Sequence, residues 1–122
     1  MNCPRFTRVM VLTAVLAVSA CSTTSKVEPV GAPRAAASAA CKVKVVKQGD
    51  PMPAQLELVG TIETHINRNI FLGGGINLDD AMPELRAKTC ALGGDTVRID
   101  DMIQSSAAEN RHIHVWASVF KQ

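Results

Sequence analysis

The residues of this 122-residue chain best suited to chemistry are its three histidines and its cysteines. His112 and His114 are one residue apart, so in a strand both imidazoles project from one face, with Cα atoms about 7 Å apart. Two rings at that spacing can share Zn²⁺ or Cu²⁺, and His65 from an adjacent strand would complete the set. The competing reading is a solvated strand face on which these histidines, beside Arg111, bind nothing. Cys41 and Cys90 form the second candidate pair. They can be a disulfide, two buried thiols or part of a metal site. An even count in a secreted domain favours the bridge. It would close a loop of about fifty residues, worth on the order of 4 kcal/mol in the chain-entropy model.

Other constellations have plainer explanations. Asp79-Asp80 precedes a helical pattern and Asp100-Asp101 ends a strand pattern, so neither pair needs an acid–base role. Gly73-Gly74-Gly75 is not followed by the Gly-Lys-Ser/Thr of a phosphate loop, and no Gly-x-Ser-x-Gly elbow is present. The expectation is a protein that is not an enzyme. Charge narrows the partners further. Arg5 and Arg8 account for the whole formal charge of +2, and beyond them the basic and acidic residues balance. A neutral domain lacks the cationic footprint that nucleic acid requires.

The elements that must position these residues follow from periodicity. Val43–Val46 is a short β-rich run, and Gly49-Asp50-Pro51 marks a turn. Leu56–Ile66 alternates, with Leu58, Ile62 and Thr64 on one side and Thr61, Glu63 and His65 on the other. Asn67–Asn77 reads as a loop. Asp79 and Asp80 can cap a helix, Pro83 fits its first turn, and Ala81, Leu85, Thr89 and Leu92 share one face. Gly93-Gly94 ends it. Asp95–Met102 is a strand, Gln104–Arg111 a polar loop, and His112–Phe120 the last strand. In that strand Ile113, Val115, Ala117 and Val119 oppose His112, His114, Trp116 and Phe120. The sum is an α+β fold, a small sheet of about four strands with one helix packed on one face. If the helix covers the aliphatic side, Trp116 and Phe120 are left half-exposed as interface residues; otherwise they are core.

The amino-terminal segment reads as an address. Met1–Arg8 is basic, Val9–Ala17 is apolar, and Val18-Ser19-Ala20 is a small-residue cleavage site, which together describe a secretory signal peptide over residues 1–20. Cys21 directly after those small residues resembles a bacterial lipobox. That resemblance implies a diacylglyceryl thiol and an acylated amino terminus at Cys21. More than one acyl chain anchors stably, since each buried methylene contributes about 0.8 kcal/mol. Ser22, not Asp, follows, which by resemblance to Gram-negative sorting signals implies the outer membrane. Residues 21–40, rich in Ala, Ser, Thr and Pro, are expected to be the lipidated cysteine and a disordered tether, leaving residues 41–122 as a periplasmic domain.

Leu58-Val59-Gly60-Thr61 and the run from Leu85 to Val97, with its Ala-Leu-Gly-Gly-Asp-x-Val ending, carry a further resemblance. They are similar to a family of small Gram-negative envelope lipoproteins and, more distantly, to the Rcs stress-sensing outer-membrane lipoprotein. That family's domain uses two disulfides, whereas Cys41 and Cys90 permit one here. The resemblance implies an α+β domain in the envelope and assigns no catalytic residue. The leading expectation is a lipid-anchored module that binds another envelope protein or senses the envelope, with no cofactor. The alternative is a periplasmic zinc or copper module using His65, His112 and His114.

Overall fold

The computed structural model describes residues 21–38, 40–69, 75–107 and 110–122. The expected signal peptide and two glycines of the triple-glycine run, Gly73 and Gly74, lie outside these residues. In chain order the elements are β1 (Cys21–Pro29), β2 (Lys44–Val46), β3 (Glu57–Asn69), α1 (Leu78–Ala91), β4 (Thr96–Ala107) and β5 (Asn110–Lys121). The strands form one mixed sheet in the order β1-β3-β5-β4-β2. The pairs β1–β3, β3–β5 and β4–β5 are antiparallel, and the short β2 runs parallel to β4. Thus β3 and β4, on either side of α1 in sequence, run parallel with β5 inserted between them, a split β-α-β unit.

The α+β expectation holds, with one correction: the sheet has five strands rather than four. The additional strand is β1, drawn from the stretch expected to be a disordered tether. Its sequence, CSTTSKVEP, offers the core little beyond Val27, which packs against the buried cluster. What holds it is β3, whose edge it satisfies along nine residue pairs from Cys21–Arg68 to Pro29–Gly60. The Ser25 hydroxyl also meets that of Thr64 at 3.1 Å, giving the fully buried threonine a polar partner. Beyond β1 the chain stays tied to the domain. The Val30 amide donates to Val59, the Ala37 amide to the Cys90 carbonyl, and Arg34 pairs with Glu57. Residues 35–38 are not helical.

Helix α1 forms where the pattern placed it, with different caps. Asn77, not Asp79 or Asp80, is the N-cap; its side chain accepts from the Asp79 amide at 2.9 Å. Asp80 reaches back to the Asn77 amide at 2.8 Å, which completes a capping box. Pro83 consequently lies inside the helix rather than in its first turn. At the other end the Gly93 amide donates to Cys90 and that of Gly94 to Thr89, a Schellman closure in which Gly93 takes φ +75°. Ala81, Leu85, Thr89 and Cys90 are buried against the sheet, and the Cys41–Cys90 disulfide ties the helix end to the chain entering β2. Its Cα atoms stand 6.0 Å apart.

On the sheet side the core is Ile62 and Ile66 of β3, Val97 and Ile99 of β4, and Ile113, Val115, Ala117 and Val119 of β5. Complete burial of side chains such as Leu85 and Ile62 is worth roughly 1.5–3 kcal/mol each. Three further expectations are corrected. β3 runs on to Asn69, into the Asn67–Asn77 stretch read as a loop, of which residues 70–74 lie outside the described residues. Of the stretch Gln104–Arg111 read as a loop, residues 104–107 belong to β4 and 110–111 to β5, while 108–109 lie outside the described residues. Asp100-Asp101 does not end a strand either, because the register shifts there, between Ile99 and Asp101, in mid-strand. A second shift, between Leu58 and Gly60, turns Val59 into the core. Gly60 is required by close approach: a Cβ there would stand 2.8 Å from a Leu92 methyl and 2.9 Å from the Glu28 carbonyl.

Candidate functional site

One helix cannot cover both faces of a five-stranded sheet. In antiparallel pairs, residues directly opposite share a face. The pairs Ile66–Ile113, Thr64–Val115 and Ile62–Ala117 lie under α1, so Asn67–His112, His65–His114 and Glu63–Trp116 lie on the uncovered face. Strand β1 adds Ser22, Thr24, Lys26 and Glu28 to that face, and β4 adds Ile103 opposite His114 and Ser105 opposite His112.

The rings on this face form a ladder. His114 stacks on Trp116 with centroids 3.9 Å apart and planes 24° from parallel. His65 stacks on the other side of His114 at 5.2 Å, and His112 meets His65 edge-on at 5.8 Å. His114 Nε2 and Glu63 Oε1 are 2.7 Å apart. An ionised carboxylate only accepts, so His114 donates in this contact. Trp116, Phe120, His112 and His114 are all half-buried, and His65 is exposed. Trp116 and Phe120 are therefore left half-exposed rather than in the core, since α1 occupies the aliphatic side.

The ladder is flanked by paired charges. The mid-strand irregularity in β4 brings Asp100 onto Ser118, whose hydroxyl donates to it at 2.5 Å, while Arg98 Nε donates at 2.6 Å. The Arg98 guanidinium also lies over the Phe120 ring, 5.1 Å from its centroid. Lys26 and Glu28 pair at 2.7 Å along β1; this contact raises the Lys26 pKa and lowers that of Glu28. Two adjoining depressions of about 280 Å³ each share Lys26 and Glu63. One is walled by Glu28, Asp100 and Trp116, the other by Thr24, His65 and His114. Such a surface can take up an apolar or cationic side chain over the rings, with the flanking carboxylates accepting its hydrogen bonds.

All three histidines singled out from sequence come together here, His65 and His114 as stacked rings and His112 edge-on to His65. Among the described residues no group of three or more His, Cys, Asp or Glu is placed to hold a metal ion. Cys41 and Cys90 form the disulfide on the helix side, away from this face. Cys21 is the first residue of β1, paired with Arg68. Glu63 shares the alternation of His65 and could be placed on the site from sequence. Asp100 and Lys26 could not: one arrives through a break in register, the other through a strand hidden in a Ser/Thr-rich segment. Among the described residues no helix is long and apolar enough to cross a membrane.

No protein-family model matches this chain, and no curated protein matches it by sequence. Among solved structures, the crystal structure of a Francisella virulence factor, FvfA, superposes with a TM-score of 0.57 at 12% identity, covering 83% of this chain and 100% of that one. At that identity the likeness extends to the fold alone.

Proposed function

We propose that the chain is an outer-membrane lipoprotein, acylated at Cys21, whose uncovered sheet face binds another envelope protein in signalling or upkeep of the envelope. The observation that carries the reading is the ladder of His65, His114 and Trp116, with Phe120 under Arg98, on a face that α1 leaves open. Half-buried aromatics bordered by paired charges are the composition of an interface centre with its polar rim. The anchor belongs to the same reading. Because β1 begins at Cys21, an acyl group there leads straight into the sheet and keeps the domain within a few residues of the bilayer, rather than on a long swinging tether.

Two measurements test this. The intact mass of protein extracted from membranes should correspond to residues 21–122 plus acyl chains, and an unmodified mass contradicts the anchor. The double variant Trp116→Ala/Phe120→Ala should still fold but lose its co-purifying envelope partner, whereas unchanged co-purification contradicts the face. A second reading, a zinc or copper module, draws on the convergence of His65, His112 and His114. In that reading the Glu63 contact at His114 Nε2 would orient an imidazole that binds the metal through its other nitrogen. Absence of Zn²⁺ or Cu²⁺ uptake in calorimetry would remove it.

A further inference from the structure

The two edges of the sheet are protected differently. β1, on one side, carries Lys26 and Glu28 and ends in Pro29, all of which discourage edge-to-edge pairing. On the other side β2 covers β4 only over Thr96–Arg98. From Ile99 to Ala107 β4 has β5 along one flank and, among the described residues, no strand along the other. Residues 101–106 are exposed, including Met102 and, at 54%, Ile103. Asp101 guards the start of this stretch, where its carboxylate accepts from the Met102 amide at 2.8 Å. From Met102 onward to Ala107 there is neither a charge nor a proline.

We propose that this edge pairs with the same edge of a second copy, antiparallel and centred on Ile103. The open stretch, 99–107, has Ile103 as its midpoint. A copy in that register runs along the whole stretch, over about 30 Å, pairing regularly from Asp101 to Ser105 and meeting the irregularity at Asp100 at each end before β2 begins. The side chains agree with the register. Ile103 faces its own copy, Met102 faces Gln104, and Asp101 faces Ser105, so the most exposed apolar residue is covered and no carboxylates oppose one another. Recentring on Met102 instead sets Asp101 against Ile103, and recentring on Gln104 leaves Ile103 against Ser105. The symmetry axis then stands normal to the sheet, as an isologous dimer requires. Both helices lie on one side of a continuous ten-stranded sheet, and the two aromatic faces adjoin on the other. Cys21 stays on the outermost strand of each copy, so the pairing does not depend on the lipid anchor.

Disulfide trapping reads the register directly, in the full chain carrying Cys3→Ser and Cys21→Ser to remove stray thiols. Opposed residues of an antiparallel pair have Cα atoms about 4.5–5.5 Å apart, within disulfide range. Ile103→Cys should oxidise to a covalent dimer, and so should the combination Asp101→Cys/Ser105→Cys. Asp101→Cys alone, about 13 Å from its counterpart in this register, should form no covalent dimer. In sedimentation the unmodified chain should dimerise with concentration. Ile103→Lys, which sets two ammonium groups across the axis, should weaken that dimer about tenfold while the melt of the dilute, monomeric chain stays unchanged. A chain that sediments as a monomer at every concentration, or trapping through Asp101→Cys as efficient as through Ile103→Cys, overturns the proposal. Trapping of Ile103→Cys only to a different protein overturns it too.

Discussion

The two faces of the sheet are built from the same strands by simple alternation, yet they have opposite characters. Beneath α1, Ile62, Val97, Ile113, Val115 and Val119 are sealed, and the polar groups among them, Thr64 and Thr89, are bonded to Ser25 and to the Leu85 carbonyl. On the other face every large side chain is partly wet, and rings and charges are paired with one another rather than hidden. The covered face therefore sets stability, and in the proposed reading the open face serves recognition. That division can be broken by substitution, and the expected effects fall in a definite order.

The largest belongs to the helix side. Replacing Cys41 and Cys90 by Ala should cost about 4 kcal/mol in urea denaturation, because the 49-residue separation leaves a long loop unconstrained in the unfolded chain. Leu85→Ala should cost about 3 kcal/mol, since a fully buried leucine leaves a cavity that its neighbours fill only in part. Trp116→Ala removes a larger side chain from the open face and should nonetheless cost less than Leu85→Ala. The reverse order would mean that the ladder is core rather than surface.

Asn77→Ala should lose about 1 kcal/mol through the opened capping box. The same corner gives a pH dependence. The Asn77 amide, opposed by burial and joined by Arg68, holds the Asp80 carboxyl below its ordinary value. For Asp95 burial raises the pKa, but Lys121, the Gln122 amide and Thr96 together outweigh it, and the net direction is again downward. Groups depressed on folding stabilise fully above their unfolded value near 4. That contribution should fade as pH falls through the lower folded values, and Asp80→Asn should flatten the acid limb of a stability–pH curve. The smallest effect belongs to the open face. Glu63→Gln should change stability by less than about 1 kcal/mol, as expected of a partly exposed pair. It should still alter Trp116 fluorescence through His114.

Much of this division is legible in the sequence. The spacing of Ala81, Leu85 and Thr89 locates the helix and its buried side, and alternation in residues 112–120 separates the aliphatic face from the one with histidines and Trp116. Where reading failed, it failed for identifiable reasons. β1 contributes only Val27 to the core, so its Ser/Thr-rich composition resembles a linker, and its order comes from pairing with β3. Gln104–Arg111 is polar because the far ends of β4 and β5 extend into solvent, and polarity alone cannot tell such a hairpin from a loop. The partnership of Asp100 with Ser118 depends on a register shift, which no period-two pattern anticipates.

The most direct test of the central claim compares crosslinking from the two sides of the molecule in intact envelopes. A photoreactive residue would be placed at Thr24, exposed on the open face beside His65, and separately at Arg86, exposed on the outer surface of α1. A discrete crosslink to one envelope protein is expected from position 24, abolished by Trp116→Ala, and none from position 86. The same adduct from position 86 alone, or an adduct at position 24 that survives Trp116→Ala, would contradict the central claim.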